Sequence, residues 1–99
     1  MKKILKVIIE TAYLSDDEIV KACKLCSDAG VDFVKTSTGM AGEGAKVDHV
    51  KLMRSVLPSN VEIKASGGIK TYDQAVELIL AGADRLGTSS GIELLTASP

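Results

Sequence analysis

The chain has 99 residues, of which 45% are apolar, and its 12 basic and 13 acidic side chains leave a net charge of −1. A chain this short buries a smaller fraction of its surface than a longer one, so we expect residues 1–99 to form a single domain with a small core. The charged residues are spread along the sequence without a basic stripe. This distribution argues against a nucleic-acid partner.

The sequence gives no sign of a secretory signal or a membrane span. Lys6 and Glu10 interrupt the apolar run near the N-terminus, and no small-residue cleavage site follows it. No segment approaches the roughly 20 consecutive apolar residues that a membrane-spanning helix needs. We therefore expect a cytoplasmic location and no membrane partner.

The first half of the chain alternates strand and helix. The nearly continuous apolar run of residues 4–10 predicts a strand that is covered on both faces. Ser15 followed by Glu18 predicts a capping box at the start of a helix, and Gly30 supplies the stop. An apolar, β-branched run over residues 33–37 predicts the second strand.

The middle of the chain repeats this alternation. A glycine-rich loop over residues 38–46 precedes an apolar helical spacing that ends at Pro58, and residues 61–65 predict the third strand. Thr71 and Gln74 predict a second capping box, which starts a third helix. The side chains expected to face inward from this helix are Tyr72, Ala75, Val76 and Ile79.

A short fourth strand over residues 85–88 and one helical turn over residues 91–95 end the pattern. Four successive βα units require parallel strands whose carboxyl ends lie at one edge of the sheet. A complete (β/α)8 barrel takes about 250 residues, so four units in 99 residues predict an α/β fold with the material of half a TIM barrel.

Half a barrel leaves one sheet face and two strand edges open to water. By period-2 alternation we expect apolar surface on that face from Ile8 or Ile9, from Phe33 or Val34, and from Ile63. A second copy, or a complementary half-barrel, that closes over the face would cover its apolar surface and pair both strand edges. We therefore expect a homo-oligomer or a complex with a complementary half, and not a stable monomer.

Two lysines stand at carboxyl ends of predicted strands. Lys35 lies in the second strand and Lys64 in the third, and small hydroxyl residues and glycine follow each of them. Parallel α/β folds build active sites at this edge of the sheet. A lysine there loses hydration, and a second ammonium nearby disfavours its charge further, so one amine is expected to be neutral and nucleophilic. The pattern indicates Schiff-base chemistry, with a structural Lys64 paired to Glu10 or Glu62 as the competing interpretation.

Two glycine- and serine-containing turns at the same edge indicate an anion site. Gly67 and Gly68 follow the third strand, and Ser89, Ser90 and Gly91 follow the fourth. Backbone N–H groups of such turns approach a phosphate without interference from a Cβ atom. In the alternative interpretation the glycines only permit tight turns and the serines only cap helices.

Cys23 and Cys26 form a C-x-x-C pair, but we expect both to be core residues. They share a helical stripe with Ile19, in mid-helix, whereas a redox pair stands at a helix N-terminus. A zinc site needs two further ligands, and the single histidine, His49, is too isolated to complete one.

Four segments together resemble the second half of deoxyribose-phosphate aldolase. They are residues 5–11, 32–39, 64–69 and 87–91, and the two lysine segments are the most specific. The resemblance implies a class I aldolase on a TIM barrel in which this chain supplies the fifth to eighth strands. It also implies an enzyme of deoxyribonucleotide catabolism that needs neither a metal nor an organic cofactor.

The resemblance also implies the roles of individual residues. Lys35 corresponds to the Schiff-base nucleophile, and Lys64 to the second active-site lysine, which favours the neutral nucleophile and transfers protons. The residues that correspond to the substrate-binding and phosphate-binding loops are Thr38, Gly39, Gly67, Gly68, Ser89 and Ser90.

The reaction implied is reversible cleavage of 2-deoxyribose 5-phosphate to glyceraldehyde 3-phosphate and acetaldehyde. The family's earlier strands, including a fourth-strand aspartate used in proton relay, have no counterpart here, so the isolated half is expected to be weakly active or inactive. A non-catalytic phosphate-binding half-barrel or assembly subunit is the alternative interpretation.

Overall fold

The computed structural model describes residues 4–37, 45–69 and 71–87. Their strands form one parallel sheet in the order β1-β2-β3-β4. The strands are β1 (Lys6–Ile8), β2 (Phe33–Lys35), β3 (Glu62–Ser66) and β4 (Arg85–Gly87). The predicted α/β fold with four parallel strands is confirmed.

Three helices cover one face of this sheet, and a short 3-10 helix (Thr11–Tyr13) follows β1. The helices are α1 (Asp16–Ala29), α2 (Val47–Val56) and α3 (Tyr72–Ala81). Each connects two consecutive strands, as the βα repeat requires. None of the helices in the described ranges has the length and apolar character to cross a membrane.

Both predicted capping boxes are present. At the start of α1, the Ser15 hydroxyl accepts from the Glu18 N–H at 3.2 Å, and the Glu18 carboxylate accepts from the Ser15 N–H at 2.9 Å. Thr71 and Gln74 make the same reciprocal pair at the start of α3, with both bonds at 3.1 Å. Each box satisfies two backbone donors that a helix start would otherwise leave unpaired.

The core lies between the helices and one face of the sheet. Val34, Ile63 and Ala65 are fully buried there. They pack against apolar side chains of α1 and α2, which include Ile19, Cys23, Val50 and Met53. The expectation that Ile63 lies on the open face is therefore wrong, because β3 turns Glu62 and Lys64 to that face instead.

The open face carries less apolar surface than the strand patterns suggested. Ile8, which is 46% exposed, and Phe33 lie on it, as expected, but their neighbours there are charged. The first strand is thus not covered on both faces. It also extends over three residues only, because pairing with β2 is limited to Lys6–Ile8.

The buried stripe of α3 differs from the predicted one. Ala75, Leu78 and Ala81 are buried, whereas Ile79 is 53% exposed. Leu78, Ile79 and Leu80 are three consecutive apolar residues, so hydrophobicity alone leaves the orientation of the helix undetermined. The packing of α3 against α2 selects Leu78.

Arg54, on α2, ties together the segment that leads into β3. Its guanidinium donates to the carbonyl oxygens of Leu57, Pro58 and Val61 at 3.3, 2.6 and 3.0 Å. It also forms a salt bridge with Asp84 at 3.1 Å. Because a guanidinium offers five donors in a fixed plane, one side chain satisfies several carbonyl groups at this turn.

We expect Arg54→Ala to lower the free energy of unfolding by about 1–3 kcal/mol, since the part-buried carbonyl groups of Leu57 and Val61 lose their donor. Lys51→Ala on the exposed side of the same helix is the matched control and should change it by less than about 0.5 kcal/mol. Urea denaturation followed by circular dichroism measures both. Equal effects of the two substitutions would contradict the role given to Arg54.

Candidate active site

The open face of the sheet contains a cavity of about 220 Å³. Side chains from all four strands line it, namely Lys6, Ile8, Phe33, Lys35, Lys64 and Arg85. In a closed barrel this face is the interior. The two lysines that the sequence singled out are thus in one cavity.

Strand register places Lys35 and Lys64 side by side. Lys35 pairs with Lys64 across β2 and β3, and Lys64 pairs with Arg85 across β3 and β4. On the other side, Lys35 pairs with Ile8 of β1. Three cationic residues therefore occupy adjacent positions in one row across the sheet.

An aromatic ring and an ion pair contact the cationic side chains Lys6 and Arg85 on this face. The Lys6 Nζ and Arg85 Cζ atoms lie 5.6 and 4.9 Å from the centre of the Phe33 ring. The Arg85 Nε atom also lies 3.0 Å from the Glu62 carboxylate. The Phe33 ring therefore makes cation–π contacts with both Lys6 and Arg85.

The ion pair of Arg85 bears on the structural interpretation of Lys64. Glu62, one of the two carboxylates considered for Lys64, pairs with Arg85 instead. Within the described ranges, neither Lys35 nor Lys64 forms a salt bridge. Both side chains are half-buried. An ion pair between Lys64 and Glu62 is therefore not what fixes Lys64.

Hydroxyl groups connect the ends of the two lysine strands. Thr36 and Ser37 are completely buried. The Ser37 hydroxyl donates to the Ser66 carbonyl oxygen at 2.6 Å, and the Thr36 hydroxyl oxygen accepts from the Ser66 N–H at 3.1 Å. These bonds extend the β2–β3 pairing beyond the last residue of β2 and fix the relative positions of the lysine strands.

The predicted glycine turn follows β3 directly. Gly67 and Gly68 have φ angles of 85° and 68°, a region that favours glycine. The Gly67 N–H donates to the Gly87 carbonyl oxygen at 3.3 Å, and its carbonyl accepts from the Ala45 N–H at 3.0 Å. Gly68 is exposed at the end of this turn. The other predicted substrate or phosphate residues, Thr38, Gly39, Ser89 and Ser90, lie outside the described residues.

The cysteine pair lies away from the cavity, in α1. Cys23 and Cys26 are buried in the core with free thiols. Burial raises the pKa of the Cys23 thiol to about 11, and burial also raises the pKa of the Cys26 thiol. Thiols in such surroundings are poor nucleophiles. The described residues contain no cluster of metal-ligating side chains.

The sequence pattern did not identify Lys6 and Arg85 as cavity residues. Both lie at positions that alternate with core residues, so they share the inner face with Lys35 and Lys64. Counting back two residues from Lys35 and from Lys64 reaches Phe33 and Glu62, which share this face. The same alternation applied to β1 and β4 is needed to reach Lys6 and Arg85. It would not have paired Arg85 with Glu62, because that contact depends on strand order.

The arrangement can support imine chemistry at one amine with a second amine as acid or base. Attack on a carbonyl requires a neutral amine as the nucleophile. The second amine lies in the adjacent strand, at the same level of the sheet. Lys6, the other amine that lines the cavity, lies at the amino end of β1.

Comparison with known proteins gives a consistent result. A family model of DeoC/LacD family aldolases matches residues 1–96. The deoxyribose-phosphate aldolase of Thermococcus kodakarensis is 56% identical over 94 residues, which cover 95% of this chain and 42% of that protein. The chain thus spans less than half the length of the curated relatives it matches.

Solved structures of aldolases share the fold. An aldolase designated QR15 superposes with a TM-score of 0.84 and 49% identity, over 92% of this chain and 43% of that one. The deoxyribose phosphate aldolase of Aeropyrum pernix, described as tetrameric, gives a TM-score of 0.84 and 37% identity, over 94% of this chain and 40% of that one.

Proposed function

The chain belongs to the DeoC/LacD aldolase family, and we propose that it carries the Schiff-base site of a deoxyribose-phosphate aldolase. The observation that supports this most directly is the register of β2 and β3, which places Lys35 beside Lys64 on the inner face. The proposed reaction is the reversible cleavage of 2-deoxyribose 5-phosphate to glyceraldehyde 3-phosphate and acetaldehyde.

Lys35 is the proposed nucleophile. Its neutral amine attacks the carbonyl carbon of the open-chain sugar, and loss of water gives an iminium ion. The iminium nitrogen accepts the electron pair of the carbon–carbon bond as that bond breaks, while the hydroxyl group on the departing carbon gives its proton to Lys64. This releases glyceraldehyde 3-phosphate and leaves an enamine. Protonation of the enamine carbon and hydrolysis of the imine release acetaldehyde and restore the amine. No metal or organic cofactor is needed for these steps.

Lys64 is the proposed acid–base group. Protonation of the enamine requires a donor within hydrogen-bond reach, directly or through one water. Lys64 is in register with Lys35, and its side chain lines the same cavity. It therefore meets the positional requirement, whereas Lys6 and Arg85 contact the Phe33 ring.

The phosphate group is proposed to bind at the turn that follows β3. Gly67 and Gly68 both have positive φ and carry no Cβ. The Gly67 N–H is bonded to the Gly87 carbonyl oxygen, so the exposed Gly68 offers the N–H group that an anion can approach closely. The resemblance adds Ser89 and Ser90 after β4, with Thr38 and Gly39 from the neighbouring loop. This site would distinguish a sugar phosphate from the free sugar.

The four strands are proposed to be the fifth to eighth of a TIM barrel, with a complementary half covering the inner face. Lys6, Lys35, Lys64 and Arg85 on this face outnumber one carboxylate, Glu62, among the described residues. A second copy would place the same cations opposite them, whereas a half that carries carboxylates would neutralise them. The charges thus favour a complementary half over a homodimer closed through this face.

We expect reduction with borohydride in the presence of acetaldehyde to attach an ethyl group preferentially to Lys35. Lys35→Ala should abolish this preferential labelling, because the imine-forming amine is gone. Lys51→Ala, at an exposed position of α2, is the control and should leave the labelling of Lys35 unchanged. Peptide mass mapping measures the adducts.

Persistent labelling of another single lysine in Lys35→Ala would show that the nucleophile is assigned wrongly. Labelling of the wild-type chain that is spread evenly over its exposed lysines would favour the non-catalytic phosphate-binding alternative.

We expect inorganic phosphate to bind the chain and Ser90→Glu to weaken that binding by about tenfold or more, through like-charge repulsion. Ser55→Glu, on α2, makes the same chemical change far from the proposed site and should leave the affinity unchanged. Isothermal titration calorimetry measures both. Equal affinities of the Ser90→Glu variant and the wild type would contradict the phosphate site.

We expect the chain to bind the N-terminal half of its Thermococcus kodakarensis relative, expressed separately, in a one-to-one complex. Salt should weaken this complex, because oppositely charged faces meet. Lys64→Glu should also weaken it, whereas Lys51→Glu should not. Sedimentation velocity measures the species present.

Without the relative's half, the chain should sediment as a folded species of more than one copy and not as a stable monomer. A cooperative, folded monomer at micromolar concentration would refute the need for a covering partner, and salt-independent binding of the relative's half would refute the charge argument.

A further inference from the structure

The chain contains an internal repeat whose second copy replaces the lysine by glycine. Residues 29–39 and 81–91 are identical at six of eleven positions. The shared residues are Ala29 and Ala81, Gly30 and Gly82, Asp32 and Asp84, Thr36 and Thr88, Ser37 and Ser89, and Gly39 and Gly91. In this alignment Gly87 takes the position of Lys35.

The structure confirms the repeat where it describes both copies. The Asp32 carboxylate accepts from the Leu5 N–H at 2.9 Å, and the Asp84 carboxylate accepts from the Ile63 N–H at 2.9 Å. The backbone bond is returned in both copies. The Asp32 N–H donates to the Leu5 carbonyl oxygen, and the Asp84 N–H to the Ile63 carbonyl oxygen, again at 2.9 Å. Gly87, three residues after Asp84, therefore occupies the structural position of Lys35.

Gly87 leaves space where its counterpart has a side chain. It is not among the glycines with positive φ, so its backbone does not require glycine. A Cβ atom at this position would lie 2.5 Å from the Ser66 hydroxyl oxygen and 2.9 Å from the Lys64 Cε atom. The Ser66 hydroxyl and the end of the Lys64 side chain thus both lie beside the space that Gly87 leaves.

The Ser66 hydroxyl is buried without a partner. Ser66 is 4% exposed, and its Oγ atom makes no hydrogen bond to any described residue. Its backbone is fixed on both sides, because Thr36 and Ser37 bind its N–H and carbonyl groups. A buried hydroxyl that lacks a partner carries a desolvation cost, which a core position would avoid by having alanine.

We propose that Ser66 is a positioning residue for Lys64, and that Gly87 is glycine because the contact between them needs the space. The Nζ atom is bonded to Cε, so a small side-chain rotation brings the amine to the hydroxyl. A hydroxyl oxygen accepts a hydrogen bond from an ammonium, and its O–H donates one to a neutral amine. Ser66 therefore holds Lys64 in both of the protonation states through which an acid–base group passes.

The role given to Ser66 rests on the proposed function for its reason, because an acid–base Lys64 needs to be held in place. Its test, the labelling rate of Lys64, does not require aldolase activity. A carboxylate in place of Ser66 would accept from the ammonium but could not donate to the neutral amine. An acid–base lysine that is released after each proton transfer would lose its position relative to Lys35. The hydroxyl avoids this loss without adding charge to the site.

The test is trace labelling of the chain with acetic anhydride, with the rate at Lys64 compared with the rate at exposed Lys51 in the same sample. Ser66→Ala should raise the relative rate at Lys64 about threefold or more, because the amine loses a hydrogen bond that holds it in either protonation state. Ser66→Thr keeps the hydroxyl and should label like the wild type. Ser55→Ala removes an exposed hydroxyl and should also change nothing.

Gly87→Ala supplies a second route to the same result. Its Cβ would separate the hydroxyl from the amine, so labelling of Lys64 should rise as in Ser66→Ala. The double variant Ser66→Ala/Gly87→Ala should give no further increase, because both changes remove one contact.

An unchanged rate at Lys64 in Ser66→Ala overturns the inference, whatever the borohydride experiment shows. A raised rate accompanied by loss of the cooperative thermal transition also overturns it, because Ser66 would then act on the fold. Failure of acetaldehyde to label Lys35 in the wild type would overturn the proposed aldolase function alone.

Discussion

The parallel pairing of β2 with β3 is the constraint on which the candidate site depends. It places Lys35 and Lys64 at the same level of the sheet, on the face that the helices do not cover. Side-chain hydroxyls of Thr36 and Ser37 extend this pairing to Ser66. A shift of one residue would turn one lysine into the apolar core, since neighbouring residues of a strand face opposite sides. The buried Val34 and Ile63, which alternate with the lysines, oppose such a shift.

The two faces of the sheet therefore have different functions. One face is apolar and carries the core, in which Val34, Ile63 and Ala65 meet the helices. The other is cationic. The Glu62 carboxylate pairs with Arg85 there, and the Phe33 ring makes cation–π contacts. A small domain gains stability from the first face and has little to gain from the second. Lys35 and Lys64, to which the proposed chemistry is assigned, both lie on the second face.

Sequence patterns predicted the local features well. The capping boxes at Ser15 and Thr71 and the stop at Gly30 depend on neighbours within four residues, so the sequence contains the whole interaction. The α3 stripe was misassigned because three apolar residues in succession fit several orientations. The assignment of Ile63 to the open face failed for a related reason: period-2 alternation separates two faces but does not say which one meets the helices.

By itself, the sequence determined the order of the elements, the parallel arrangement and the presence of one lysine in each of β2 and β3, although Lys64 lies within β3 and not at its end. These follow from periodicity and capping, which are local, and from the rule that βα units connect parallel strands. Only the tertiary structure decided that Lys6 and Arg85 share the cavity, that Glu62 pairs with Arg85, and that Ser66 and Lys64 both lie against Gly87. Each of these contacts joins different strands, and strand register is fixed by packing of the whole core rather than by any one segment.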